Sequence, residues 1–166
     1  MTLLSETRIN AVAPYRVKVL KDGGAFFATD NGLHYIVSFD ADDVSLSVLC
    51  YQLVIVNVDN KPSPRDHKLR DTIIAIVEEF FSSSNEVLLY ICETRDGKQA
   101  LRNRLFRYWY SQNGQHKGYT YLSASVLDDD GVMNYAMLIM RNDSPHYATA
   151  YRDFGESIQM LNNKFE

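Results

Sequence analysis

Between Arg95 and Arg107 the chain carries five basic residues, Arg95, Lys98, Arg102, Arg104 and Arg107, against one acid, Asp96. Guanidinium and ammonium groups at this density bind anions, whether carboxylate, sulfate or phosphate. The whole chain has a formal charge of −4, so the cluster is a local asymmetry. Arg65, His67 and Lys68 form a second basic group nearer the N-terminus. The run FRYWY (106–110) sets aromatic rings beside arginine. These residue types are enriched at interface hot spots, so Arg107 and Tyr110 are candidate anchors for a partner. Single-stranded nucleic acid, whose bases stack on aromatic side chains, is a further candidate.

Other chemistries find less support. A net acidic chain argues against general binding to duplex nucleic acid, which needs a basic excess. His34, His67, His116 and His146 include no pair at metal-ligand spacing, so no metal site is expected. Asp40, Asp42 and Asp43, like Asp128, Asp129 and Asp130, read as solvated turns, because DDDG lacks the glutamate and spaced acids of a calcium loop. No GxSxG elbow is present, and no catalytic residue is assigned. Cys92 ends an apolar run near Arg95, where a lowered pKa would make it a nucleophile, but core packing is the favoured role. With Cys50 it is expected to be a reduced thiol in a cytoplasmic protein, since MTLLSETRIN lacks the charged and apolar regions of a secretory leader. No apolar run approaches the roughly 20 residues that cross a bilayer.

The elements that position these residues follow from turns and hydrophobic period. YRVKVL, AFFAT and LHYIVSF are separated by KDGG and DNG, which predicts a three-strand antiparallel meander. LSVLCYQLVIVNV and EVLLYIC are continuously apolar, as strands buried on both faces are. A helix between them makes a βαβ unit, and residues 52–58 and 87–92 are expected to be parallel neighbours. Ser63 is the expected cap of that helix and Pro64 its first residue, with Leu69, Ile73, Ile76, Val77 and Phe80 as its apolar stripe. Leu101, Leu105, Tyr108 and Trp109 share a face of the next helix, which QNGQHKG ends. YTYLSASVL and VMNYAMLIM flank DDDG as a hairpin. Asp143 or Ser144 caps a last helix from Pro145, with Tyr147, Tyr151, Phe154, Ile158 and Leu161 on one side. The result is a single α+β domain over residues 1–166 with a mixed, mostly antiparallel sheet in the order ββββαβαββα.

From its fourth strand onward this order resembles the core of the GNAT N-acyltransferase superfamily. The resemblance implies an acyl-CoA cofactor, held in that family by a Gln/Arg-x-x-Gly-x-Gly/Ala turn at the start of the long helix. Here that turn reads Arg65-Asp66-His67-Lys68-Leu69-Arg70, so both small positions are large and basic, and Arg104 stands where the family often has a tyrosine acid. Separately, LLYICETRDGKQALRNRLFRYW is similar to a signature of small bacterial proteins of unassigned function.

Loops leaving two parallel strands emerge on one edge, where open α/β sheets bind ligands and helix N-termini favour anions. Arg65, His67, Lys68, Arg95, Lys98, Arg102, Arg107 and Tyr110 are therefore the expected binding residues. The expected function is a non-catalytic binding or regulatory module, immunity-like or defence-associated, without a cofactor, engaging an acidic protein partner or an anionic small molecule. The alternative is a GNAT-like acyltransferase or another enzyme acting on a phosphate-bearing ligand.

Overall fold

The computed structural model describes residues 3–93, 99–114, 118–127 and 129–163, with backbone alone for 91–93, 99–103, 113–114, 126 and 160–163. Its elements are α1 (Glu6–Val12), β1 (Lys18–Val19), β2 (Ala25–Ala28), β3 (His34–Asp42), β4 (Cys50–Asn57), α2 (His67–Ser83), β5 (Val87–Glu93), α3 (Gln99–Trp109), a π-helical turn (Tyr110–Gly114), β6 (Tyr119–Leu127), β7 (Met133–Arg141) and α4 (Tyr147–Asn163). The expected order is present, preceded by a helix the sequence pattern did not predict. The protein is α+β, and among the described residues its mixed, mostly antiparallel sheet has seven strands in the order β1-β2-β3-β4-β5-β7-β6. β4 and β5 are parallel, through the pairs Cys50–Val87, Tyr51–Leu88 and Gln52–Leu89. By its internal contacts the chain forms two compact units, residues 1–40 with 53–84 and residues 41–52 with 85–166.

In the first unit β2 and β3 alternate buried and half-buried residues, the period of a sheet with one face turned further inward. Phe27 stacks on Tyr15 and Tyr35 at 6.1 and 5.7 Å, and Phe39 stacks on Phe80 of α2 at 4.4 Å. Gly32 makes the tight turn before β3 possible with φ +77, a conformation that costs a side chain dearly. The expected six-residue first strand shortens to two because its neighbours bond to side chains. The Tyr15 amide donates to Thr72 Oγ1, and the Val17 amide donates to Asn10 Oδ1.

α2 starts at His67 with Asp66 as its cap, which corrects the expectation of Ser63 and Pro64. Asp66 Oδ1 accepts from the amides of Lys68 and Leu69 at 2.9 and 3.2 Å, whereas the Ser63 hydroxyl donates to the Pro64 carbonyl. One carboxylate on two otherwise unpaired helix amides is the stronger cap. Ile73, Ile76, Val77 and Phe80 are buried as their spacing predicts, with Phe81 beside them.

In the second unit β7 lies between β5 and β6, antiparallel to both. One sheet face carries Val87, Leu89, Leu138 and Met140 against Ala150 and Phe154 of α4, with Leu46 and Cys50 in the same cluster. The other face meets α3 through Tyr90–Phe106 and Trp109–Tyr119, at centroid distances of 5.9 and 5.3 Å. Burying each large apolar side chain contributes about 1.5–3 kcal/mol. α4 starts at Tyr147. Ser144, one of the two expected caps, accepts from the His146 amide and donates to the Asn85 carbonyl, while Asp143 pairs with Arg141. Tyr151 is half-exposed rather than in the apolar face, because Ala150 and Phe154 take the inward positions.

Candidate functional site

α3 is held by two inward aromatics. Phe106 and Trp109 are 2% and 1% exposed, and their three-residue spacing sets the rotation of the helix. Arg104, Arg107 and Tyr108 follow one another at three- and one-residue steps around the opposite side, and all are exposed. Tyr108 was expected inside. Burial of Phe106 turns it outward, to 39% exposure. Tyr110, an expected anchor, begins the π-helical turn, is half-buried and stacks on Tyr121 at 5.6 Å. Arg107 lies close enough to favour the Tyr121 phenolate, as does a hydrogen bond with Ser123, but burial outweighs both and raises that tyrosine's pKa.

The sequence from Gln99 to Gln112 contains Arg102, Arg104 and Arg107 and no acid. Among the described residues neither Arg104 nor Arg107 forms an ion pair. Arg102 lies on α3, its side chain outside the described residues, and Arg95, Lys98 and the Cys92 side chain also lie outside them.

The other basic group belongs to the first unit. Arg65 and His67 are exposed. Lys68 Nζ lies 2.9 Å from Asp30 Oδ2 and 5.7 Å from the centre of the Tyr15 ring, and the hydrogen bond to Asp30 raises the lysine pKa. Asp66 covers the helix amides, and its Oδ2 accepts from the Tyr15 hydroxyl at 2.6 Å. Burial and this hydrogen bond raise the tyrosine pKa. The N-terminus of α2 therefore already holds an internal anion where a phosphate would sit.

Sequence reasoning missed two further features, both assembled from distant segments. His34 Nδ1 lies 3.0 Å from Asp59 Oδ2, and its ring stacks on Phe26 at 5.9 Å. Among the described residues the hydrogen bonds of the His34 ring go to Asp59 alone. An open groove of about 380 Å³ is lined by Glu6, Arg16, Lys18 and Phe26. Glu6 is engaged there by the Val19 amide at 2.9 Å.

Asp40 and Asp42, expected in a solvated turn, instead end β3, and Asp42 is held by the loop that follows and by Gln52 of β4. Burial opposes its charge, but hydrogen bonds from Ser45, Gln52 and Val44 more than offset this and hold its pKa well below the usual carboxylate range. Among the described residues no group of three His, Cys, Asp or Glu side chains gathers as metal ligands. No helix of the described residues is long and apolar enough to cross a membrane.

Fold and surface thus define an α+β protein with a mixed sheet and an outward-facing basic helix. The Family of unknown function (DUF6169) matches residues 65–156, more than half of the chain, and the chain belongs to that family. No curated protein matches the chain, and no solved structure does. The resemblance to the N-acyltransferase core rests on the order of elements alone.

Proposed function

We propose that the chain is a small non-catalytic binding or regulatory module that engages an acidic partner or anionic ligand through the solvent face of α3. The observation that supports this reading is the pair Arg104 and Arg107, both exposed on one helix without an acid. Like charges one turn apart destabilise a helix by a few tenths of a kcal/mol. An acidic partner offsets that repulsion, and Tyr108 beside the arginines supplies amphipathic contact area.

The test uses the charge-reversed variant Arg104→Glu/Arg107→Glu. The partner captured from the native host by the wild type should be lost by this variant with the fold intact, and wild-type capture should weaken as salt rises. Titration with sulfate, nucleotides and acetyl-CoA during thermal unfolding separates the ligand classes, because saturation at about 100 times Kd stabilises by about 2.7 kcal/mol. Equal capture by wild type and variant, or a shift with acetyl-CoA that sulfate does not produce, overturns the proposal. The latter result would favour the acyltransferase reading.

A further inference from the structure

The sheet of the first unit has two faces of different character. Residues paired directly across antiparallel strands share a face, and Lys18 pairs with Phe26 and Ala28 with His34. Residues two apart on a strand also share one, so Lys18, Phe26, Ala28 and His34 stand together. Ala25, Phe27, Tyr35 and Val37 are buried on the opposite face, which meets α2 where Phe39 stacks on Phe80.

The groove lined by Arg16, Lys18, Phe26 and Glu6 opens on the first of these faces, with the small Ala28 in its wall. Its volume of about 380 Å³ falls at the lower end of the range of small-molecule sites, about 300–1,000 Å³. Phe26 and His34 form a nearly parallel pair, inclined at 14° with centroids 5.9 Å apart, and a further flat ring in the groove extends that stack.

The polar groups around this aromatic wall have unused capacity. Arg16 and Lys18 are exposed, and among the described residues neither forms an ion pair. Glu6 Oε2 accepts from the Val19 amide, while Oε1 has no hydrogen-bond partner among the described residues. Two cations thus face one carboxylate, and the groove favours an anion. A flat ring suits Phe26, a phosphate suits the two cations, and an N–H on the ring suits Glu6 Oε1. A nucleobase joined to a phosphate supplies all three.

We propose that this groove binds one nucleotide unit, with the base stacked on Phe26, the phosphate held by Arg16 and Lys18, and a base N–H donated to Glu6. A free mononucleotide and one nucleotide of a single strand share this chemistry, and the experiment separates them. The inference goes beyond the reading of α3, since every residue it uses belongs to the first unit.

Isothermal titration calorimetry with AMP, adenosine, inorganic phosphate and phenyl phosphate tests it. AMP should bind most tightly, because the other three lack the phosphate, the ring and the ring N–H in turn. Phe26→Leu keeps the apolar bulk without the ring and should weaken AMP binding by at least about fivefold, the lower bound for a lost base stack. Arg16→Gln/Lys18→Gln should weaken AMP binding and flatten its salt dependence while leaving adenosine binding unchanged. Both variants should keep the wild-type circular dichroism spectrum. Arg104→Glu/Arg107→Glu should bind AMP as the wild type does, which separates this groove from α3. A short oligoadenylate that binds more tightly per site than AMP assigns the groove to single-stranded nucleic acid, and one that does not assigns it to the free mononucleotide. No binding of AMP at millimolar concentration, phosphate or phenyl phosphate binding as tightly as AMP, AMP binding unchanged in either groove variant, or its loss in the α3 variant overturns the proposal. If Phe26→Leu does not fold, the charge variant and the probe series decide alone.

Discussion

Replacing Glu79 with glutamine should loosen α1 from α2 in a pH-dependent way. Glu79 is 5% exposed, on α2. Its Oε1 accepts from the Ser5 amide at 3.1 Å and from Arg8 Nη2 at 2.7 Å, and its Oε2 accepts from Arg8 Nε at 3.0 Å and Ser82 Oγ at 3.2 Å. Hydrogen bonds to a charged group contribute about 1.5–3 kcal/mol, and neutral ones about 0.5–1.5. The Arg8 side chain is 62% exposed, so its attraction is largely screened by water. The loss assigned to the buried carboxylate of Glu79→Gln is then about 1–2 kcal/mol, or roughly 2–8 °C in melting temperature for a chain of this size. The Arg8 hydrogen bond holds the Glu79 pKa below its ordinary 4.5, with help from the Ser5 amide and against burial. A folded-state pKa below the unfolded value means that the unfolded chain binds more protons in that interval. The contribution is therefore complete above pH 4.5 and lost as pH falls through the folded-state pKa. Thermal unfolding of wild type and Glu79→Gln should show the full gap at neutral pH and a vanishing one in strong acid, with faster hydrogen exchange in α1 of the variant at neutral pH. Equal melting at neutral pH, or a gap undiminished in acid, would refute the reasoning.

Asp66→Ala should cost about 1–2 kcal/mol by calorimetry, because a cap is lost together with the partner of the Tyr15 hydroxyl. Asp66→Asn should recover part of that loss, and an alanine variant as stable as wild type would show that water replaces the cap. The Cys50 thiol, fully buried and facing Asp42, is pushed up to about 12, first by burial and then by the carboxylate. It should resist iodoacetamide at mildly alkaline pH in the native protein and react in urea, and peptide mapping that finds native Cys50 alkylated would contradict the buried position.

Segments with both a period and punctuation were legible. β6 runs over Tyr119–Leu127, as its uninterrupted pattern predicted, and Gly131 in the following turn has φ +77. α1 was not legible because it is seven residues long and buries Ile9 alone, and one inward side chain defines no period. At α2 the competition between two caps decided the start. Ser63 has the right side chain for a cap, but Asp66 reaches two amides and a tyrosine hydroxyl, the last across 51 residues of sequence. That contact is invisible to local patterning. In α3 a stripe through Leu101, Leu105, Tyr108 and Trp109 was a sound helical pattern, yet Phe106 was the better filler beside Tyr90. A rotation of about 100° per residue is enough to put Tyr108 in solvent.

The same distinction between counting and pairing governs the site. A sequence gives the number of basic residues near a helix start, but not which of them already face an acid. Lys68 is matched by Asp30, 38 residues earlier, and the amides above it are matched by Asp66. Lys68 and the first amides of α2 are therefore satisfied from within, while Arg65 and His67 stay exposed. Arg104 and Arg107 find no such match among the described residues, although the chain has 21 acidic residues to offer. In an acidic chain, leaving two arginines side by side in solvent keeps a repulsion that a single Glu on the neighbouring turn would relieve. Among the described residues that charge is unrelieved, and this, rather than the larger count of basic residues read from the sequence, supports looking for an acidic partner at α3.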